Sequence, residues 1–253
     1  MNLPDTLKDP KFRKDKYNYW YGNRKLRSMT SWLKSLRKPF DSEYWSKRKA
    51  EERGVDPSVI LSEWKAKGDR SRGIGILVHE WIDIYFKGGT PDFDRAGSLG
   101  ESVAEDAYKR YMLFHNLMST RLVGASCVAS ELMLFSPSLG IAGAMDSLIL
   151  DSSSRAWTGD WKATEKFTSG DEGFGKLLTP FEDLQDNDQN VYSLQVSLLR
   201  VLAEEHGMEL DGGFIVHLPP DAQEAIVHFA TDLRDPVREA LQKTSTGLTR
   251  DPW

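Results

Sequence analysis

GAMDSLILDSSSRAWTGDWK, residues 143–162, is the stretch on which the reading of this chain turns. Strand-forming residues run from Ile141 to Leu150 and again from Ala156 to Ala163, and the turn-forming Ser152, Ser153 and Ser154 lie between them. The pattern predicts a β-hairpin. With the three serines as its loop, Asp151 faces Arg155 and Asp146 lies opposite Asp160. Directly opposed residues have Cβ atoms about 4.5–5.5 Å apart, so two carboxylates are expected side by side. A divalent cation turns their repulsion into binding, and hard oxygen ligands suit Mg²⁺ or Mn²⁺. Lys162 shares a face with Asp160, while Trp161 turns toward a core. Paired acids on a hairpin are often no more than a solvated face. Here Asp146 interrupts an apolar strand and Asp160 and Lys162 flank a tryptophan, so the charges sit at a core edge, where they are costly unless paired or metal-bound.

The ordered set resembles the PD-(D/E)XK nuclease superfamily: G-x-x-D at Gly143–Asp146, D-W-K at Asp160–Lys162, then a helix carrying Gln195 in YSLQVSLLR. It is similar to the RecB-type exonuclease branch, which includes the mitochondrial genome maintenance exonuclease and stand-alone phage and viral exonucleases. That branch also carries an upstream G-x-x-x-H, matched by Gly75 to His79. The resemblance runs from about Arg27 to Leu218. It implies an α/β restriction-endonuclease-like core, a central mixed β-sheet flanked by helices, with a helical N-terminal region. It implies a metal-dependent DNA exonuclease acting on single strands or DNA ends, in replication, recombination or repair of phage or viral type. Asp146, Asp160, Lys162 and Gln195 are then catalytic. His79, Asp146, Asp160 and the Trp161 backbone carbonyl are the implied metal ligands. An imidazole ligand makes Mn²⁺ more competitive.

Glu131, an acid in an apolar strand, resembles the upstream glutamate of many relatives; binding a second cation or a metal-bound water, and pairing with a neighbouring cation, both stand. Relatives often place a tyrosine four residues after the glutamine. Here that position is Leu199, and Tyr192, one turn earlier, is the substitute expected to contact DNA. His115, His206, His217 and His228 have no matching partners and read as structural or surface residues.

The net charge of −5 is unevenly spread. Residues 1–50 hold nine lysines and five arginines against four aspartates and one glutamate, a net of +9, which leaves −14 for the rest. A basic segment engages phosphates, and aromatics interleave with this one from Phe12 to Trp45, as in surfaces that hold single strands. Trp32, Leu33, Leu36 and Phe40 read more simply as the buried face of a helix. Tyr17 to Tyr21, next to Arg24, are the better contacts, so Tyr19, Arg24 and Lys166 join Tyr192 as DNA-binding candidates.

One cysteine, Cys127, rules out an internal disulfide and the four-cysteine iron–sulfur cluster of some relatives. No apolar run is long enough to cross a bilayer, and no secretory signal is evident, so a soluble, cytoplasmic protein with no membrane partner is expected. No G-x-x-x-x-G-K-[ST] loop is present; unwinding would come from a partner helicase or recombinase. Two other readings remain: a nuclease-dead nucleic-acid binder and an RNA-directed endonuclease.

Helices are expected at 30–38, 42–53, 56–86, 99–118, 188–206 and 236–243, with an Asp56 cap and Pro57 opening the third. Strands are expected at 122–135, 141–150, 156–163, 213–218 and 224–230. The chain divides at residue 120, between a helical region carrying His79 (1–120) and the nuclease-type core (121–253), as one compact unit. Residues 164–190 read as an irregular connection beside the site, either a flap over the strand or a disordered insertion.

Overall fold

The computed structural model describes residues 1–247 except 17, 95, 96, 98 and 99, with side chains described through residue 243. Tyr17 and the expected helix start at Leu99 thus lie outside the described residues.

The hairpin forms in the expected register and then comes apart. Strands β5 (Ile141–Leu150) and β6 (Ala156–Lys162) pair antiparallel from Leu150↔Ala156 to Ser147↔Gly159, one step short of Asp146 and Asp160. Beyond that point β6 leaves β5 and stays paired, in parallel, with β7 (Gly212–His217) as far as Lys162↔His217. The edge of β5 that β6 abandons is taken up at its other end by β3 (Arg24–Ser28), parallel at Arg27↔Ile141 and Ser28↔Ala142. The opposite edge of β5 is paired along its length by β4 (Ser126–Ser136). The sheet therefore forks over residues 143–146. Gly143 is small for a reason: a Cβ there would lie 3.0 Å from that of Met29, the first residue of α1 (Met29–Ser35).

Among the described residues the sheet has eight strands in the order β1-β2-β3-β5-β6-β7-β8, with β4 on β5. β1 (Phe12–Asp15) and β2 (Asn18–Tyr21) extend it past β3, and β8 (Ile226–Phe229) closes the other edge. Helices cover both faces. Residues of α1, α5 (Asp188–Glu205) and α6 (Arg234–Gly247) pack with Leu134, Met145 and Leu148. Those of α3 (Pro57–Phe86) and α4 (Glu101–Thr120) pack with Ile149, Trp161, Phe214 and Val216. Leu198 and Leu202 are fully buried at the centre of α5, where truncation to alanine costs about 2–5 kcal/mol. α2 (Ser42–Arg53) lies against α3. Caps fix the long helices: Asp56 accepts from the Ser58 amide ahead of Pro57, and Asn187 accepts from Asn190 at the start of α5. The 1% exposed Arg110 of α4 donates to the Thr164 and Leu218 carbonyls, tying down the chain just beyond β6 and β7.

Three expectations change. Residues 1–120 hold helices as expected, but their first 28 residues also supply three strands of the same sheet. Those strands are four or five residues long and rich in charge, so alternation signals them weakly. Phe40 is not buried with Trp32, Leu33 and Leu36; it is 62% exposed. Residues 164–190 are not a disordered insertion: Thr164 and Glu165 line a cleft with Lys162, and the later part of the segment clasps α1. Leu177 and Phe181 are buried, Phe181 meets Trp32 edge-on, and the Leu178 amide donates to the Leu36 carbonyl at 2.7 Å. Gly173, at φ 136°, sits where a Cβ would be 2.2 Å from the Asp186 carbonyl oxygen, a site for glycine alone.

Candidate metal centre

At the fork, a side chain stands in for the missing strand partner: Asp146 Oδ2 accepts from the Trp161 amide at 3.1 Å. The Trp161 carbonyl points to α3, where His79 Nε2 lies 2.9 Å away. A carbonyl only accepts, so Nε2 carries the proton and Nδ1 is turned to the acids. Nδ1 is 3.7 Å from Asp146 Oδ2 and 3.8 Å from Glu131 Oε1. One ligand atom from each of His79, Glu131 and Asp146 lies within 4.8 Å of the others.

Glu131 reaches this cluster from a left-handed backbone, φ 51°, a conformation that costs a residue with a Cβ about 1–3 kcal/mol and tends to occur at functional sites. The distortion breaks the strand alternation. Ala129 and Leu132, three apart, both pack on the α5-side core, as do Met145 and Leu148 on β5. Asp83, one turn after His79, fixes the geometry from behind by accepting from Ser130 Oγ and pairing with Lys87 at 2.6 Å.

The electrostatics of the cluster favour positive charge at its centre. Burial pushes the His79 pKa down, but Asp146 and Glu131 more than offset it and hold the imidazole at about 9. An imidazole lone pair facing two carboxylates calls for a positive charge between them, supplied by a proton or by a metal ion. Nδ1, a carboxylate from β4 and one from β5 make a donor set suited to Mn²⁺ or Mg²⁺. The Nε2–H···O=C bond to Trp161 is the outer contact that orients a metal-binding histidine.

On the α5 side the charges are already matched. Asp160 is 1% exposed. Its Oδ1 accepts from Gln195 Nε2 at 2.6 Å, and its Oδ2 is 2.9 Å from Lys162 Nζ. Burial pushes the Asp160 carboxyl up, Lys162 pulls it back, Asp146 raises it again, and the pKa stands at about 6. Burial opposes the Lys162 charge, yet Asp160 and Asp146 outweigh it and hold the ammonium above the ordinary lysine range. Lys162 Nζ also lies 4.4 Å from the centre of the Tyr192 ring and 3.4 Å from Gln195 Oε1.

Asp146 and Asp160 are thus neighbours rather than a matched pair on one face, because the ladder that would align them has ended. The Trp161 carbonyl is engaged by His79. Of the DNA-contact candidates, Tyr192 lies in the site, and Tyr19 is close enough to Glu131 that burial and this carboxylate raise its phenol pKa. Lys166 is exposed in the loop beyond β6. Arg24 lies at the end of β3 away from the fork, donating to the Pro137 carbonyl at 2.8 Å, so the fold does not bring it to the cluster. His206 pins helix to sheet by donating from Nε2 to the Phe135 carbonyl.

A cleft of about 420 Å³ opens beside His79 and Lys162, lined also by Lys67, Arg72 and Gly75 of α3. Sequence reasoning missed Lys67 and Arg72, which look like any solvated helix charges and pair with Glu165 and Asp69, both at 2.9 Å. Only their spacing of twelve and seven residues before His79 hinted at a shared cleft. Among the described residues, no helix is long and apolar enough to cross a membrane.

No family model matches the chain, and no curated protein sequence matches it. Several solved structures are distantly similar. One, from Eubacterium rectale and described as a "putative exonuclease", has 12% identity and a TM-score of 0.42, covering 70% of this chain and 66% of its own. The protein named SSO0001 has 14% identity and a TM-score of 0.33, covering 71% and 76%. The chain therefore spans just under two thirds of the first protein's length, and likeness at this level carries no function across.

Proposed function

We propose that this chain is a metal-dependent nuclease of the PD-(D/E)XK type, RecB-type branch, which hydrolyses phosphodiester bonds of DNA from its ends. The observation that carries the reading is the fork. It sets the ligand cluster His79, Glu131 and Asp146 beside the ammonium of Lys162 across a single residue, Trp161. Residues 1–120 supply His79 and a basic surface; residues 121–253 supply the acids, Lys162 and Gln195.

A divalent cation held by His79, Glu131 and Asp146 would polarise a phosphoryl oxygen and acidify a water. Lys162 remains an ammonium at neutral pH and donates from Nζ to the attacking water or to the phosphoryl oxygen that gains charge. Gln195 bonds both Asp160 and Lys162 and so holds the donor in place. Tyr192 screens the ammonium from bulk water on one side. Asp160, buried beside Asp146, would be a further oxygen donor to the cation. The Trp161 carbonyl acts by orienting His79 rather than as a ligand.

The test is digestion of end-labelled single- and double-stranded DNA and RNA, linear and circular, with Mg²⁺ or Mn²⁺. Linear DNA is expected to be degraded, circles to survive, and chelation to stop the reaction. Cleavage that persists in chelator sinks the metal reading. Binding without cleavage of any substrate leaves a nucleic-acid binder, and attack on RNA alone leaves the ribonuclease alternative.

A further inference from the structure

The aromatic residues of the N-terminal segment fall into two groups. Those of β1 and β2 are built into the fold: Phe12 stacks on Phe135 at 4.2 Å, and the Tyr21 hydroxyl donates to Asp9 at 2.8 Å. Those at the start of α2 face outward. Phe40, Tyr44 and Trp45 are 62%, 55% and 40% exposed. Phe40 meets Trp64 of α3 at 5.5 Å, Tyr44 meets Trp45 at 5.2 Å, and the Arg48 guanidinium lies 5.4 Å from the Trp45 ring. Two ring pairs on neighbouring segments, each with a ring at least 40% exposed, are costly to leave uncovered, and grouped exposed apolar surface marks a contact site.

The charge around them is positive on balance, although Lys47 pairs with Glu43 and Lys49 with Glu52, each at 2.7 Å. From Lys34 to Lys49 there are six basic residues and two acidic ones. Lys34 and Lys38 are exposed, and Arg37 keeps 38% of its side chain exposed although it pairs with Asp186. Rings interleaved with cations fit a ligand with flat apolar faces joined by anions. The bases of a single strand offer such faces, whereas those of a duplex are stacked on one another.

The platform also points at the metal centre. Trp64 and His79 lie about 60° apart around α3 at 3.6 residues per turn and about 22 Å apart along it at about 1.5 Å per residue. Between them Ser71 and Gly75, with Lys67 and Arg72, line the cleft that ends at His79 and Lys162.

We propose that the face made by Phe40, Tyr44, Trp45 and Trp64 is a stacking platform for single-stranded nucleic acid, which it delivers along α3 to the cleft at His79. The proposal rests on the nuclease reading for what happens at the end of that path, but not for the binding itself.

The experiment is fluorescence anisotropy with the full chain in chelator, using a labelled single-stranded oligothymidylate and a blunt duplex of equal length. Stacking contributes about 1–3 kcal/mol per base. The double variant Phe40→Ala/Trp45→Ala should therefore bind the single strand at least about tenfold more weakly, with the duplex changed far less. Trp45→Leu, which keeps apolar area but removes the indole face, should show the same preference at smaller size. Unchanged single-strand affinity in the double variant overturns the proposal. So does an equal loss on both probes, or a change in oligomeric state without loss of affinity, which would make the face a contact between copies of the chain. Hydrolysis of bis(p-nitrophenyl) phosphate by the unaltered protein with Mn²⁺ tests the catalytic reading separately. Hydrolysis with ring-independent binding removes only the platform; ring-dependent binding with no hydrolysis removes only the nuclease reading.

Discussion

Two charged clusters flank Trp161, and they differ in what they lack. The α5-side set of Asp160, Lys162 and Gln195 is buried and internally matched, carboxylate against ammonium at 2.9 Å. The α3-side set of His79, Glu131 and Asp146 is more open, with side chains 31%, 44% and 13% exposed. It gathers two carboxylates around one imidazole, whose positive charge is a proton that a metal ion can displace. A matched buried pair is geometry held in advance; an accessible set with more acids than bases attracts a cation. On the nuclease proposal, that difference would place metal affinity chiefly on the α3 side and charge stabilisation during reaction chiefly on the α5 side.

The largest expected effect separates the two clusters. Replacing Lys162 with methionine should lower cleavage by about 10²–10³-fold, the usual loss for a donor aimed at developing charge. Mn²⁺ affinity, followed by calorimetry, should stay within a few fold, while His79→Ala should lower it by an order of magnitude or more. If Lys162→Met weakens metal binding as much as His79→Ala does, the division of labour is wrong.

A second prediction uses pH. Metal must displace the proton on His79 Nδ1, whose pKa is held at about 9. Apparent Mn²⁺ affinity should therefore rise close to tenfold per pH unit from pH 7 toward 9, with about one proton released per ion. Without metal the sign reverses. The raised pKa stabilises the fold fully below the unfolded value of about 6.5, and this contribution is lost as pH rises through about 9. A flat affinity profile over that range would remove Nδ1 as a ligand. At pH 8, Mn²⁺ at a hundred times its dissociation constant should add about 2.7 kcal/mol. That raises Tm by roughly 5–10 °C for a chain of this size.

The smallest expected effect concerns strain. Because Glu131 sits at φ 51°, Glu131→Gly should be about 1 kcal/mol more stable than Glu131→Ala in metal-free denaturation, although both lose the carboxylate. Equal stabilities would mean that the left-handed backbone there costs nothing.

Much of this architecture was legible in the sequence. The apolar runs on either side of Ser152–Ser154 specify the hairpin and even its register, because a one-residue slip would turn every buried side chain outward. The Asp56–Pro57 helix start and the apolar stripe of α5 are equally local signals. The fork is not local. Where β6 leaves β5 depends on competition from β7 on one side and β3 on the other, strands more than 50 and 100 residues away from Asp160 in sequence. No pattern within the hairpin records that. The same holds for the α3-side cluster: opposed acids could be placed on paper, but the left-handed turn that brings Glu131 to His79 has no glycine to announce it. The outward placement of Phe40 was misread because helical spacing puts it on the apolar side of a helix that has already ended at Ser35.

Both backbone groups of Trp161 are held by candidate ligands instead of by β5: its N–H by Asp146 and its C=O by His79. The ring, meanwhile, is locked among Phe86, Phe114 and Phe214. In isotope exchange this one amide would answer to the charge on a side chain rather than to the breathing of a ladder, making residue 161 a built-in gauge of whether the centre is filled.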